Sequence, residues 1–142
     1  MRYWDSSAVV PLLVNEPRSK FLYAALTTDP EMVTWWGSRI ECHSAIQRVV
    51  RSGSLGPSEA SQAEKVLAAL AARWLEIGAT EIVRETAERL LRTHVLRAGD
   101  SLQLAAAVVA ADFRPAQLEL VCCDERLAGA GRREGFPVVG VP

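Results

Sequence analysis

The strongest constraint on this chain is an alternation of two hydrophobic rhythms. Short runs rich in β-branched and aromatic residues (RYW, EMVTWW, WLEIG, LELVCCD and PVVGV) are separated by longer segments whose apolar residues recur at helical spacing. Strands that alternate with helices are joined in parallel, and the helices then cover the sheet. The pattern predicts a three-layer α/β fold with a mainly parallel central sheet flanked by helices. Its 142 residues carry no repeat, low-complexity segment or linker, which predicts one domain over 1–142.

The helical segments have legible boundaries. SSAVVPLLVN is a short apolar helix containing Pro11, and EPRSKFLYAALTT a second with Pro17 at its first position. In GSRIECHSAIQRVVRSG, Ser38 and Glu41 have the spacing of a capping box, and Gly53 marks the exit. Pro57 and Ser58 start a helix with Val66, Leu67 and Leu70 on one face, whose apolar positions are a candidate partner surface. TEIVRETAERLLRTHVL is amphipathic. GDSLQLAAAVVAAD is apolar nearly all round and is expected to be buried.

Bulk properties exclude several classes. A net charge of −1 gives no global basic field, so nucleic-acid binding would need a local patch. Asp5 interrupts the N-terminus before the apolar core of a signal peptide can form. The most apolar run, LQLAAAVVAA, is about half of the ~20 residues a bilayer span needs. Cys42, Cys122 and Cys123 suit neither a disulfide framework nor a spaced zinc site, and a cytoplasmic location is expected.

Four acids stand where chemistry is to be expected. In open parallel sheets, ligands bind beyond the carboxyl ends of the strands. Asp5 follows RYW and Asp124 follows LVCC, both at such ends. Asp100 opens a helix in line with Leu104, Ala107 and Ala111, which turns its carboxylate inward. Glu41 lies about one helical turn past the second strand, at the border of the Cys42, Ile46 and Val49 stripe. Each acid alone also suits a helix start; four at one sheet edge do not share that explanation. Clustered carboxylates need compensating charge, and no Lys or His recurs beside them. A hard divalent cation, Mg²⁺ or Mn²⁺, is the natural compensator, and such an ion suits phosphodiester hydrolysis.

Asp5 in RYWDSSAVV, Glu41 in WGSRIECHSAI, Asp100 in HVLRAGDSLQLAAA and Asp124 in LVCCDERLAGAGRREGF resemble the acidic motifs of PIN-domain ribonucleases. They are most similar to the VapC-type toxins of toxin–antitoxin pairs, in order and over essentially the whole chain. The resemblance implies a PIN-like fold and metal-dependent endonucleolytic cleavage of RNA. Asp5, Glu41 and Asp100 would be the core Mg²⁺ or Mn²⁺ ligands, with Asp124 a fourth acid supporting a second metal or its water shell. It also implies a homodimer and inhibition by a VapB-type antitoxin. Two positions depart from the pattern: Gln103 where relatives commonly have His, and Cys122 where many have Ser or Thr.

Other residues read as supporting parts. Ser6 and Ser7 are expected to cap the first helix or bond to Asp5. His94 is read as structural, and His43 as projecting from a different helical face than Glu41. Arg39, Arg48, Arg51, Arg97, Arg132 and Arg133 are candidate phosphate contacts. Trp4, Trp35 and Trp36 are expected in the core. Two other functions compete with the nuclease. A phosphoacceptor receiver would want neighbouring acids after the first strand and a late lysine, but the chain has Asp5 alone and no lysine after Lys65. An inactive PIN-fold binding module would not need four acids.

Overall fold

The computed structural model describes residues 1–141. One sheet contains β1 (Arg2–Trp4), β2 (Met32–Trp35), β3 (Leu75–Ile77), β4 (Leu120–Val121) and β5 (Val138–Val139). The order is β3-β2-β1-β4-β5, with every pairing parallel. The helices are α1 (Ser6–Leu13), α2 (Ser19–Thr28), α3 (Ser38–Arg51), α4 (Pro57–Ala71), α5 (Glu81–Thr93), α6 (Ala98–Ala110) and α7 (Glu125–Glu134). This is the expected three-layer α/β architecture. Among the described residues, no helix is long and apolar enough to cross a membrane.

The chain builds outward from β1 to β2 and β3, then crosses back and continues through β4 to β5. Right-handed crossovers in opposite directions put their helices on opposite faces. Accordingly, α1 to α4 cover one face and α5 to α7 the other. The strand's two-residue period divides the cores. Tyr3 packs with Val83, Leu90, Leu104 and Leu127, whereas Trp4 packs with Ala8, Leu22, Ile46 and Leu67. Helix α6 is buried from Gln103 to Val108, as its all-round apolar composition requires. The direction of build-up reverses between β1 and β4, which opens a crevice beyond their carboxyl ends.

Three local expectations are corrected. Pro17 is not the first residue of α2, which begins at Ser19. There the Ser19 hydroxyl donates to Pro11 O (2.5 Å) and accepts from Glu16 N (2.9 Å), so a turn occupies the interval. Ser38 does not cap α3; it is the first helical residue, after Gly37. Its buried hydroxyl accepts from Trp35 N (3.3 Å) and Gln103 Nε2 (3.0 Å) instead. Trp36 is not a core residue. Its amide still donates to Ile77 O (2.9 Å), but its side chain is 58% exposed beyond the end of β2.

The far edge of the crevice depends on Gly140. Its φ is +115°, and a Cβ there would lie 2.5 Å from the Cys122 carbonyl oxygen. Backbone cannot yield as a flexible side chain would. Gly140→Ala is expected to destabilise the protein by roughly 2–4 kcal/mol through left-handed strain and overpacking, read as a lower urea midpoint at unchanged slope.

Candidate active site

Asp5 leaves β1 directly into α1 and does two things at once. As the N-cap, its Oδ2 accepts from Ser7 N (3.0 Å) and from the Ser7 hydroxyl. It is also only 3% exposed, at the point where the sheet reverses. Burial pushes its carboxyl up to about 6, the Ser7 bonds oppose that rise, and the negative charges of Glu41 and Asp100 add to it. Among the described residues, no Lys, Arg or His forms an ion pair with Asp5, Glu41, Asp100 or Asp124. The acidic charge is therefore uncompensated by protein.

Glu41 is released from the capping role that its spacing suggested. Its carboxylate accepts from the Ser6 hydroxyl, and its Oε2 also accepts from Gln103 Nε2 (3.0 Å). The other end of the Gln103 amide accepts from the Tyr3 hydroxyl (2.8 Å), and the acceptor-only Glu41 carboxylate fixes which atom is nitrogen. A buried chain from Tyr3 through Gln103 thus holds Glu41 from the opposite core, with Ser38 as a second acceptor. Gln103, read from sequence only as a departure from the family's histidine, positions an acid. The signal available in the sequence was its spacing: it lies three residues past Asp100 on the same helix.

Asp100 and Asp124 keep the helix-start roles that each was given as an alternative. Asp100 is the third residue of α6, not its first, and its Oδ2 makes a long contact with Arg97 N (3.4 Å). Its charge nonetheless bears on Asp5. Asp124 caps α7, its Oδ1 accepting from Leu127 N (2.8 Å). Its link to Asp5 runs through Ser7, whose hydroxyl accepts from Cys123 N (2.9 Å) and Asp124 N (3.2 Å). The Cys122 thiol stands beside both, 3.7 Å from Asp5 Oδ2 and 3.3 Å from Asp124 O. Burial raises that thiol's pKa, with the Asp5 charge adding to it, so it is a neutral neighbour and not a nucleophile.

Other candidates fall into place. His43 turns away to Glu64 on α4 (2.7 Å), and buried His94 meets Glu134 (2.6 Å), which also binds Arg89. Arg132 donates to Val141 O (2.8 Å), and Arg97 precedes α6. A groove of about 680 Å³ opens beside Ser6, Ser7 and Glu41, and of the six arginines named above only Arg48 lines it. Arg18, which no sequence pattern marked, lines it too. Among the described residues, no three His, Cys, Asp or Glu side chains are already gathered as one ligand group. Any fit to a cation therefore lies in donor chemistry and charge, and not in a preformed cage.

Two outcomes follow from these bonds. Between the ordinary carboxyl value of 3.8 and about 6, native Asp5 keeps a proton that the unfolded chain has lost, so stability falls as pH rises through that window. Asp5→Asn removes the loss: without added divalent metal it is expected to be more stable than the parent at pH 8, by up to roughly 3 kcal/mol. The two are expected to converge near pH 4 in urea titrations. Gln103→Leu leaves the buried Tyr3 hydroxyl without its acceptor and Glu41 without one donor. It is expected to cost roughly 1–3 kcal/mol, read in the same titrations.

No protein-family model matches the chain, and no curated protein matches it in sequence. Its fold is shared with solved structures. One is a chain of a toxin–antitoxin complex from Klebsiella pneumoniae, 17% identical, with a TM-score of 0.68 over 98% of this chain and 96% of that one. Another is a chain of FitAcB from Neisseria gonorrhoeae, 15% identical, with a TM-score of 0.66 over 97% of this chain and 96% of that one. At these identities the likeness is one of fold.

Proposed function

We propose that this chain is a metal-dependent endoribonuclease of the PIN-domain, VapC type, acting as the toxin of a toxin–antitoxin pair. The observation that carries the reading is Asp5: a buried carboxylate at the sheet's reversal point, under the like charge of Glu41 and Asp100 and, among the described residues, in no ion pair. A protein keeps such a group when something outside the chain supplies the missing positive charge. The shared fold with a chain of a toxin–antitoxin complex supports the same reading, as do the four acidic motifs.

The donor set fits Mg²⁺ or Mn²⁺, because carboxylate oxygens suit hard cations and no competing soft thiolate is available at the raised Cys122 pKa. Asp5, Glu41 and Asp100 would hold the ion, with Asp124 as a fourth acid at the margin. Held there, the ion would supply Lewis-acid stabilisation of charge on a phosphodiester oxygen and a water activated for attack. The chain's own part is positioning. Ser7 fixes Asp5 against the β4–α7 turn, and Ser6 with Gln103 fixes the direction of Glu41. An antitoxin partner and a homodimer belong to the same proposal.

Purified protein free of any partner is expected to cleave RNA with Mg²⁺ or Mn²⁺ and to stop when EDTA is added. Asp5→Asn and Asp100→Asn are each expected to lower the rate at least a hundredfold while circular dichroism stays unchanged. Mn²⁺ is expected to raise the melting temperature of the parent and not of Asp5→Asn, a readout independent of cleavage. The ungathered carboxylates favour one rival, a binding module without catalysis. No metal-dependent cleavage by the parent, or no melting shift with metal, would decide for that rival, whereas cleavage equal in parent and both variants would overturn the metal-site assignment.

A further inference from the structure

The groove beside the acids has a polarity of its own. Along α3, Glu41, Ser44, Ala45 and Arg48 all face it, the spacing of one helix stripe. Seven residues of helix set the Arg48 backbone about 10 Å along the axis from that of Glu41. Arg48 is exposed and joins no ion pair among the described residues, whereas Arg39 and Arg51 on the same helix do not line the groove. On another wall, Arg18 projects from the α1–α2 turn. Its Nη1 is held by the carbonyls of Cys123 (3.2 Å) and Gly140 (3.3 Å). A guanidinium has five N–H donors, and these bonds use Nη1 alone, so the side chain is fixed in place with donors to spare. Glu16 also lines the groove and opposes an anion there, leaving the two arginines as its cationic groups.

We propose that Arg48 and Arg18 form a two-point phosphate grip for single-stranded RNA flanking the bond to be cut. This rests on the ribonuclease reading of the same site. The chain's net charge of −1 supplies no general attraction for a polyanion, so the attraction must be local. The distance along α3 sets Arg48 on a flanking phosphate and leaves the scissile one to the acids. A single strand fits better than a duplex because the groove wall includes apolar Val10 and Ile40, the latter 66% exposed. Such surface is useful to unpaired bases, whereas a duplex keeps its bases stacked inside.

The test uses the full chain carrying Asp5→Asn, so that bound RNA stays intact, and a fluorescein-labelled single-stranded RNA of mixed sequence. Binding is measured by anisotropy across a salt series. Adding Arg48→Gln is expected to raise Kd several-fold and to flatten the log Kd against log salt slope by about 0.7, the share of one phosphate contact on a single strand. Arg51→Gln, with the same charge change on the same helix outside the groove, is expected to leave both near the starting values. Arg18→Gln is read beside a melting curve, because Arg18 also ties down two carbonyls; its expected loss of binding counts only at an unchanged melting temperature. Equal effects of Arg48→Gln and Arg51→Gln, equal binding of duplex and single strand, or Arg48→Gln weakening a protein partner while RNA binding stays intact would each overturn the grip. If the parent cuts no RNA yet binding still depends on Arg48, the enzyme reading fails and the grip stands. If the parent cuts and binding ignores Arg48, the reverse holds.

Discussion

Asp5 ionises against opposing demands. Its place at the end of the central strand removes it from water, and Glu41 and Asp100 add like charge; the Ser7 amide and hydroxyl oppose both effects. The surrounding structure is arranged around holding that group in spite of its cost. Ser7 is bound in turn by the amides of Cys123 and Asp124, so β1 and β4 are joined beyond their ladder through one hydroxyl. Arg18 closes the same corner by holding the carbonyls of Cys123 and Gly140. Stability given up at one carboxylate is offset by two well-filled cores on either face of the sheet.

The fold was legible because its signal is long-range and redundant. Five short apolar runs separated by amphipathic segments leave few alternatives to a parallel sheet with helices on both faces, and the run LQLAAAVVAA announced the buried α6 by composition alone. The positions of the four acids were legible for the same reason, since strand ends and helix starts are visible in the pattern. What each acid does with its oxygens was not. The spacing of Ser38 and Glu41 is that of a capping box, yet tertiary partners took both side chains: Trp35 and Gln103 bind Ser38, while Ser6 and Gln103 bind Glu41. A local rule lost to contacts made by residues 35 and 62 positions away in sequence.

Misreadings elsewhere have a similar physical origin. Trp36 looks like strand core until one sees that β2 ends one residue before it and that its neighbour Gly37 lies under the Trp35 ring. A Cβ at Gly37 would sit 2.3 Å from that ring. Trp35 therefore takes the space at this corner and Trp36 is left outside. Arg18 escaped notice because nothing in EPRSK distinguishes a groove-lining cation from a solvated one. Only the approach of the β4 and β5 ends, brought over by the crossing chain, gives it partners.

The brevity of β1 carries its own consequence. Arg2, Tyr3 and Trp4 are its whole length, with Tyr3 committed to one core, Trp4 to the other and Asp5 to the crevice beyond. A one-residue slip would exchange the two aromatic rings between faces and carry the acid past its Ser7 and Cys122 neighbours. Such a segment has no spare residue with which to absorb an insertion or a deletion. Substitutions can drift elsewhere in the molecule, but the count of residues between the start of this strand and its carboxylate has to stay constant.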